Sequence, residues 1–252
     1  MYRQINARER LAKFKTQKPN AKENEVLIYG PIVDIAFWED EVTTKSIMDQ
    51  LDKMQDMPEI SVRINSPGGI AFEGLAIHNA LKRHPAKIEV HIDALAASAA
   101  TIIAMAGDSI KIAENASMMI HEPWSFVLGS IDDLLKEAEV LETIIVQMAK
   151  TYGAKSGKDE EILRQIMKDE TWYTAEQAKE NGFADEIINL KEMPKSKADL
   201  SVYKNVPTWV ESKFKLDEPT ENNLNTKKED VEDTNYLTEL KRKRLELEEV
   251  QL

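Results

Sequence analysis

Three stretches of the 252-residue chain carry residue types that could do acyl-transfer chemistry together. Ser98 stands where the alternating run Lys87 to Asp93 gives way to the small, apolar run Ala99 to Ala106, which Gly107 closes. A serine at a strand-to-helix turn is held up for attack. The free N–H groups and positive dipole end of the helix after it would stabilise an anionic oxygen formed beside it. A serine that merely caps the helix N-terminus would suit the same position. His121 follows the apolar run Met118-Met-Ile120 and precedes Glu122-Pro123, so it stands at a strand end. In an open α/β sheet, strand ends are the usual rim of a site. Acyl transfer by serine needs such a base within hydrogen-bond reach, a group that orients the base, and donors for the oxyanion. Asn65-Ser-Pro-Gly-Gly69 offers the donors, since glycine lets a backbone N–H approach a carbonyl unobstructed, and the same residues also make an ordinary turn. The other histidines suit plainer roles: His78 lies within a helix, His84 before a proline at a helix end, and His91 on the polar face of a strand.

The elements that must position these residues alternate along the chain. Val26 to Ile32 is a short strand ending at Gly30-Pro31, and Val42, Ile47, Leu51 and Met54 recur at the spacing of a helix over about 43 to 55. Ile60 to Ile64 is the next strand, and it runs through the glycine turn into a helix over about 70 to 83 that Pro85 ends. Ile88, Val90 and Ile92 face one way and Glu89, His91 and Asp93 the other, which predicts a half-buried strand over 87 to 93. Strands Ser109 to Ile112 and Ser117 to Ile120 follow the Ser98 helix. This alternation predicts a parallel sheet with crossover helices. From Ser130 one long amphipathic helix carries Ile131, Leu134, Leu135, Ala138, Leu141, Ile145, Met148 and Tyr152 on a single stripe, with Gly153 as its terminator. Val140, Ile144 and Val146 add apolar surface on its other side, to be covered by a second copy or by the body of the same chain. Thr174-Ala-Glu-Gln177 is the capping box of a short helix ended by Gly182, and Phe183 to Ile188 is a last strand.

Three regions follow: a basic arm over 1–24, a body over 25–195, and a polar stretch over 196–252. Within the last, 217–230 reads as linker, and Tyr236, Leu237, Leu240, Leu245, Leu247 and Leu252 could form a terminal helix. The absence of cysteine excludes a disulfide framework and a thiol nucleophile, and it fits a reducing compartment. No metal cluster and no phosphate-binding P-loop is present, so no cofactor is expected and any ATP-driven step belongs to a separate partner. The arm has no apolar segment of a secretory signal, and the longest apolar stretch, Ala94 to Gly107, is too short to span a bilayer. A cytoplasmic protein without membrane contact is expected. The net charge of -12 argues against general nucleic-acid binding.

Ile64-Asn-Ser-Pro-Gly-Gly69, Ala97-Ser98-Ala99 and Met119-Ile-His-Glu-Pro123, in this order and spacing, resemble the ClpP family of serine peptidases. The resemblance covers about residues 26 to 190 and includes Thr174 to Asp185, similar to the segment after that family's catalytic acid. It implies Ser98 as nucleophile and His121 as general base, with Gly69 and Ala99 N–H groups as the oxyanion hole and Gly68 shaping the turn. Counting back from Thr174-Ala175, the family's acidic position falls on Glu170, where the cellular pattern has aspartate, and Asp169 lies one residue earlier as the alternative. The family's usual glycine and methionine neighbours of the serine are absent. The implied fold is a crotonase-like ββα superhelix with the long helix as a handle joining stacked rings, and the implied activity is proteolysis inside a closed chamber. The divergent motif neighbours, basic arm and acidic tail look most like the ClpP-type proteases of tailed phages, which implies capsid or scaffold substrates in the host cytoplasm. Two other readings remain at this point: a crotonase-type acyl-CoA enzyme, and a non-catalytic assembly component with a vestigial site.

Overall fold

Isoleucine and valine at alternate positions build the strands, and the strands pair mainly in parallel. The computed structural model describes residues 14–16, 19–37, 40–189, 196–198 and 200–215. The chain divides into two compact units, Met1–Lys215 and Leu216–Leu252, and every described residue belongs to the first. In order, the first elements are β1 (Lys15–Thr16), β2 (Glu25–Tyr29), α1 (Thr44–Leu51), β3 (Glu59–Ser66), α2 (Ala71–Arg83), β4 (Lys87–Ala97) and α3 (Ala99–Ala104). Then come β5 (Ser109–Ala113), β6 (Ser117–Ile120), α4 (Ile131–Ser156), α5 (Glu160–Lys168), β7 (Thr171–Thr174), α6 (Ala175–Glu180), β8 (Glu186–Ile188), β9 (Ser196–Lys197) and α7 (Thr208–Phe214). Residues 1–13 and 17–18 of the basic arm, the linker read over 217–230 and the terminal helix expected from Tyr236 to Leu252 lie outside the described residues.

The main sheet runs β2-β3-β4-β5-β8, all parallel, and forks at β4. Glu89 to Ile92 pair with Ser109 to Ile112 of β5, whereas Leu95 to Ala97 pair with Ser117 to Met119 of β6. β7 then adds antiparallel to β6. This is the ββα architecture expected, and the fork sets its geometry. At the fork, buried Asp93 accepts two hydrogen bonds from Arg63, both 2.8 Å, and one from the Tyr29 hydroxyl, so one carboxylate ties β2, β3 and β4 together. Burying that charge is tolerable because every strong donor around it is aimed at it.

Several local expectations change. The strand read over 87–93 runs on to Ala97, because alanines small enough to lie between layers are buried there on both sides. Gly153 does not end the long helix, which continues to Ser156 before Gly157 takes the left-handed conformation at φ 72°. A Cβ on Gly153 would come within 3.2 Å of the Lys158 carbonyl and 3.3 Å of Leu163, so the glycine serves close approach of α5 instead. The last strand shrinks to Glu186–Ile188. α5 and β7 appear where no element was read.

The largest difference lies past residue 195, where a polar stretch was expected. Residues 196–198 and 200–215 fold back, and Ala198, Leu200, Tyr203, Val210 and Phe214 form a second apolar cluster with Phe14, Leu95, Met119 and Trp172. β9 pairs antiparallel with β1, so chain from both sides of the body meets at this cluster. The body therefore extends to Lys215 at one end and includes Phe14 at the other. Phe214→Ala is expected to lower the unfolding free energy by about 3–5 kcal/mol, read by urea denaturation, since a buried phenylalanine leaves a cavity when truncated.

Candidate active site

The fork brings the candidate residues together. Because Ala97 is in register with Met119, the ends of β4 and β6 lie side by side, and the next residues out are Ser98 and, two beyond, His121. The Ser98 N–H donates to the Met119 carbonyl at 2.9 Å, and the Ser98 carbonyl accepts from the Thr101 hydroxyl at 2.6 Å. That hydroxyl also meets the buried Tyr152 hydroxyl at 2.7 Å, which braces α3 against α4. Held this way, Ser98 adopts φ 55° and ψ -124°, a backbone conformation that costs a non-glycine residue on the order of 1–3 kcal/mol. Its hydroxyl makes no capping hydrogen bond to α3. Ser98 Oγ instead lies 2.8 Å from His121 Nε2, close enough for the hydroxyl to donate its proton to the ring.

Burial, and after it the Lys204 ammonium, push His121 down to about 4 from its ordinary 6.5, so the imidazole is neutral and able to accept that proton. The other three histidines have the plainer surroundings expected of them. His78 Nδ1 pairs with Asn79, His84 Nδ1 accepts from the Ala86 N–H at a helix end, and His91 Nε2 pairs with Glu89 on the sheet surface.

The glycine turn closes the site from the other side. Ile32 bridges to Gly69 in parallel fashion, its N–H donating to the Gly68 carbonyl at 2.9 Å and its carbonyl accepting from the Ile70 N–H at 3.0 Å. That pattern turns the N–H of Gly69 itself to the opposite side of the ribbon. A cavity of about 430 Å³ lies there, lined by Gly69, Ser98, Ala99 and His121 and by apolar walls including Ile70, Ile102 and Met148. Ala99 is the first residue of α3, whose N–H has no partner within the helix. Gly68 and Gly69, at φ 87° and 154°, are the glycines the site cannot replace: a Cβ on Gly68 would meet the Ala97 carbonyl at 2.4 Å and the Ser98 Cβ at 2.7 Å.

The two acid candidates separate. Asp169 is exposed, and its carboxylate accepts from Gln165. Glu170 is buried at φ 50°, the only non-glycine residue besides Ser98 with positive φ among the described residues. Its carboxylate accepts the backbone N–H of Lys204 at 2.9 Å and that of Asn205 at 2.6 Å. Among the described residues no hydrogen bond joins either acid to His121. What does touch the imidazole is Tyr203, edge-on at a centroid distance of 5.3 Å. Sequence reasoning missed this residue. The signal was Leu200, Val202, Tyr203, Val206, Val210 and Phe214, apolar positions inside a stretch judged by its charge.

A strained serine beside a neutral buried histidine, under unpaired backbone donors at the ends of parallel strands, is the arrangement of a serine hydrolase on an α/β scaffold. The Clp protease family model matches residues 15–191. The chain is 35% identical over 138 residues to the ATP-dependent Clp protease proteolytic subunit 2 of Corynebacterium efficiens, covering 54% of this chain and 69% of the relative. It is 34% identical over 132 residues to proteolytic subunit 1 of Corynebacterium jeikeium, covering 52% and 70%. The fold matches that of a point mutant of ClpP1 from Listeria monocytogenes with a TM-score of 0.58 at 22% identity, over 67% of this chain and 93% of that one. The chain belongs to the Clp protease family, and it is a serine peptidase. Among the described residues no helix is long and apolar enough to cross a membrane, and no group of three or more metal-ligating side chains gathers.

Three outcomes follow from this geometry. Gly68→Ala is expected to cost at least about 1–3 kcal/mol in stability and to abolish labelling of Ser98 by a fluorophosphonate, because the new Cβ displaces the backbone at Ala97 and Ser98. Since an imidazole can accept the serine proton only while neutral, the labelling rate should hold on acidification and fall with an apparent pKa near 4. Between 6.5 and 4 the unfolded chain binds a proton at this histidine that the folded chain refuses. Its contribution to stability is therefore complete above about 6.5 and is lost as the pH falls through that window, which thermal melts across the range would follow.

Proposed function

We propose that this chain is an endopeptidase in which Ser98 is the nucleophile, His121 the general base, the Gly69 and Ala99 N–H groups the oxyanion donors, and Glu170 the acid of the site. His121 Nε2 takes the Ser98 proton as Oγ attacks the peptide carbonyl, and the tetrahedral oxygen accepts from the two amides. The imidazolium returns the proton to the departing amine, leaving an acyl-enzyme. Water, deprotonated by the same imidazole, then releases the acid and restores the serine. Gly68 keeps the turn open, and Asp169, exposed and bonded to Gln165, takes no part. The apolar cavity walls suit a hydrophobic side chain of a protein substrate.

The single observation that carries this reading is the 2.8 Å separation of Ser98 Oγ and His121 Nε2. A crotonase-type acyl-CoA enzyme has no need of that pair, and a non-catalytic assembly component has no need of the strained serine. Assembly belongs to the proposal too. Ile131, Leu134 and Leu135 on the first turns of α4 are exposed, as are Trp124, Phe126 and Leu128 just before it, and self-association into stacked rings would cover them. The relatives named above are subunits of ATP-dependent proteases. By analogy a separate ATPase would feed such a chamber, in the cytoplasm. Capsid or scaffold proteins of a phage are the finer substrate class proposed.

Wild-type protein should take one fluorophosphonate per chain, and Ser98→Ala none, by intact mass spectrometry with the circular dichroism spectrum unchanged. Incubation of the two side by side also reads self-cleavage of the region after Lys215. Labelling that persists in Ser98→Ala would falsify the assignment.

A further inference from the structure

We propose that Tyr203 is the positioning residue of the general base, holding the His121 imidazole through a T-shaped ring contact, and that Glu170 acts on the histidine through this tyrosine. The inference rests on the serine-peptidase reading above and adds a residue from outside the family match, which ends at 191.

Tyr203 is fixed at three points. Its ring meets His121 edge-to-face at 5.3 Å with an interplanar angle of 89°, within the range such pairs prefer. On its other side it meets Trp172 of β7 at 5.8 Å and 79°. Its hydroxyl donates to the carbonyl of Pro67, the residue before the oxyanion glycines. One side chain therefore spans the base, the sheet and the glycine turn. Burial and then the Glu170 carboxylate raise the phenol above its ordinary range against a hydrogen bond with the Ser98 side chain that lowers it, so it remains a neutral donor that also reaches the serine.

Glu170 is committed elsewhere than the imidazole. Its two carboxylate oxygens each accept one of the two amides that follow Tyr203, and the Asn205 side chain donates to the Asp169 carbonyl at 3.0 Å. Charge-assisted bonds to consecutive backbone N–H groups pin a turn, and the pinned turn here is the one that presents Tyr203. Glu170 holds its left-handed backbone to make them. An imidazole needs its plane fixed for Nε2 to face the serine, and a ring packed perpendicular to it fixes the plane as a carboxylate at Nδ1 would. The groups facing His121 are the Ser98 hydroxyl from the turn after β4, Tyr203 and Lys204 from the returning segment, the adjacent Glu122, and Glu137 of α4 across the cavity, with Glu170 acting on Tyr203 behind them. Loss of the Tyr203 ring admits water to the imidazole, which moves its titration toward the ordinary histidine value.

The test is the pH dependence of fluorophosphonate labelling on the full chain. Tyr203→Phe keeps the ring against the imidazole and gives up the hydroxyl's bonds to Pro67 and Ser98, so it should hold the acid limb in place while losing no more than about ten-fold in labelling. Tyr203→Leu keeps apolar bulk without the ring and should lose about 100-fold, as expected for a displaced catalytic group, with the acid limb moving upward from near 4. A purely structural role moves neither the limb nor the phenylalanine rescue. Glu170→Gln should slow wild type but add nothing in the Tyr203→Leu background, because the two act in series. If Tyr203→Leu fails to fold, Asn205→Pro removes one of the two amides that hold Glu170 and leaves the ring in place. It should raise the acid limb as well, and an unmoved limb overturns the proposal. So does wild-type labelling in Tyr203→Leu, or an undiminished loss from Glu170→Gln in that background, which would assign Glu170 directly to His121. Labelling that survives Ser98→Ala overturns the serine reading and this inference with it. Labelling lost in Ser98→Ala but untouched by Tyr203→Leu overturns the inference alone.

Discussion

The pairing of the outer half of β4 with β6 is the constraint on which the site depends. Three residue pairs of parallel ladder, ending in the bond from the Ser98 N–H to the Met119 carbonyl, decide that the ends of these two strands emerge together. Without the fork, β4 would pair along its whole length with β5 and carry Ser98 away from His121. With it, the chain must turn sharply at Ser98, and the φ of 55° is the local consequence of an arrangement fixed by long-range pairing. Bonds on either side of the serine over-determine that conformation, as a strained functional residue requires.

Much of this was legible from residue order. Alternation over 87–93, the glycine pair and the strand-end histidine announced a parallel sheet with candidate residues at the strand ends, and Gly69, Ser98 and His121 line one cavity. The fork was hidden because Ala94 to Ala97 have no alternation to read. A strand buried on both faces and made of alanine looks like the helix that follows it. Gly153 misled for a similar reason: glycine at a helix end and glycine at a helix crossing are the same letter, and only the neighbour at Leu163 tells them apart.

The segment after residue 195 was illegible for a different reason. Its average polarity is high, and polarity was taken as the measure of whether it packs. Packing depends on the few side chains that reach the core, and Tyr203, Val210 and Phe214 suffice once Phe14 and Trp172 have prepared a place. Glu170 could be singled out in the chain, but its partners could not. Nothing in the spacing of Glu170 foretells that its carboxylate closes on amides more than thirty positions ahead, since such a bond exists only after the chain has returned.

The long helix α4 has two duties that meet in one piece of backbone. Glu137, Val140, Leu141, Ile144 and Met148 line the cavity, while Ile131, Leu134 and Leu135, one to two turns earlier, lie open to solvent. A stiff rod transmits what happens at one end to the other, so whatever covers its free turns also braces the cleft. Were self-association to cover those turns, dilution and occupancy of the cleft would be thermodynamically linked, because the helix that carries the cover is the one that walls the cleft.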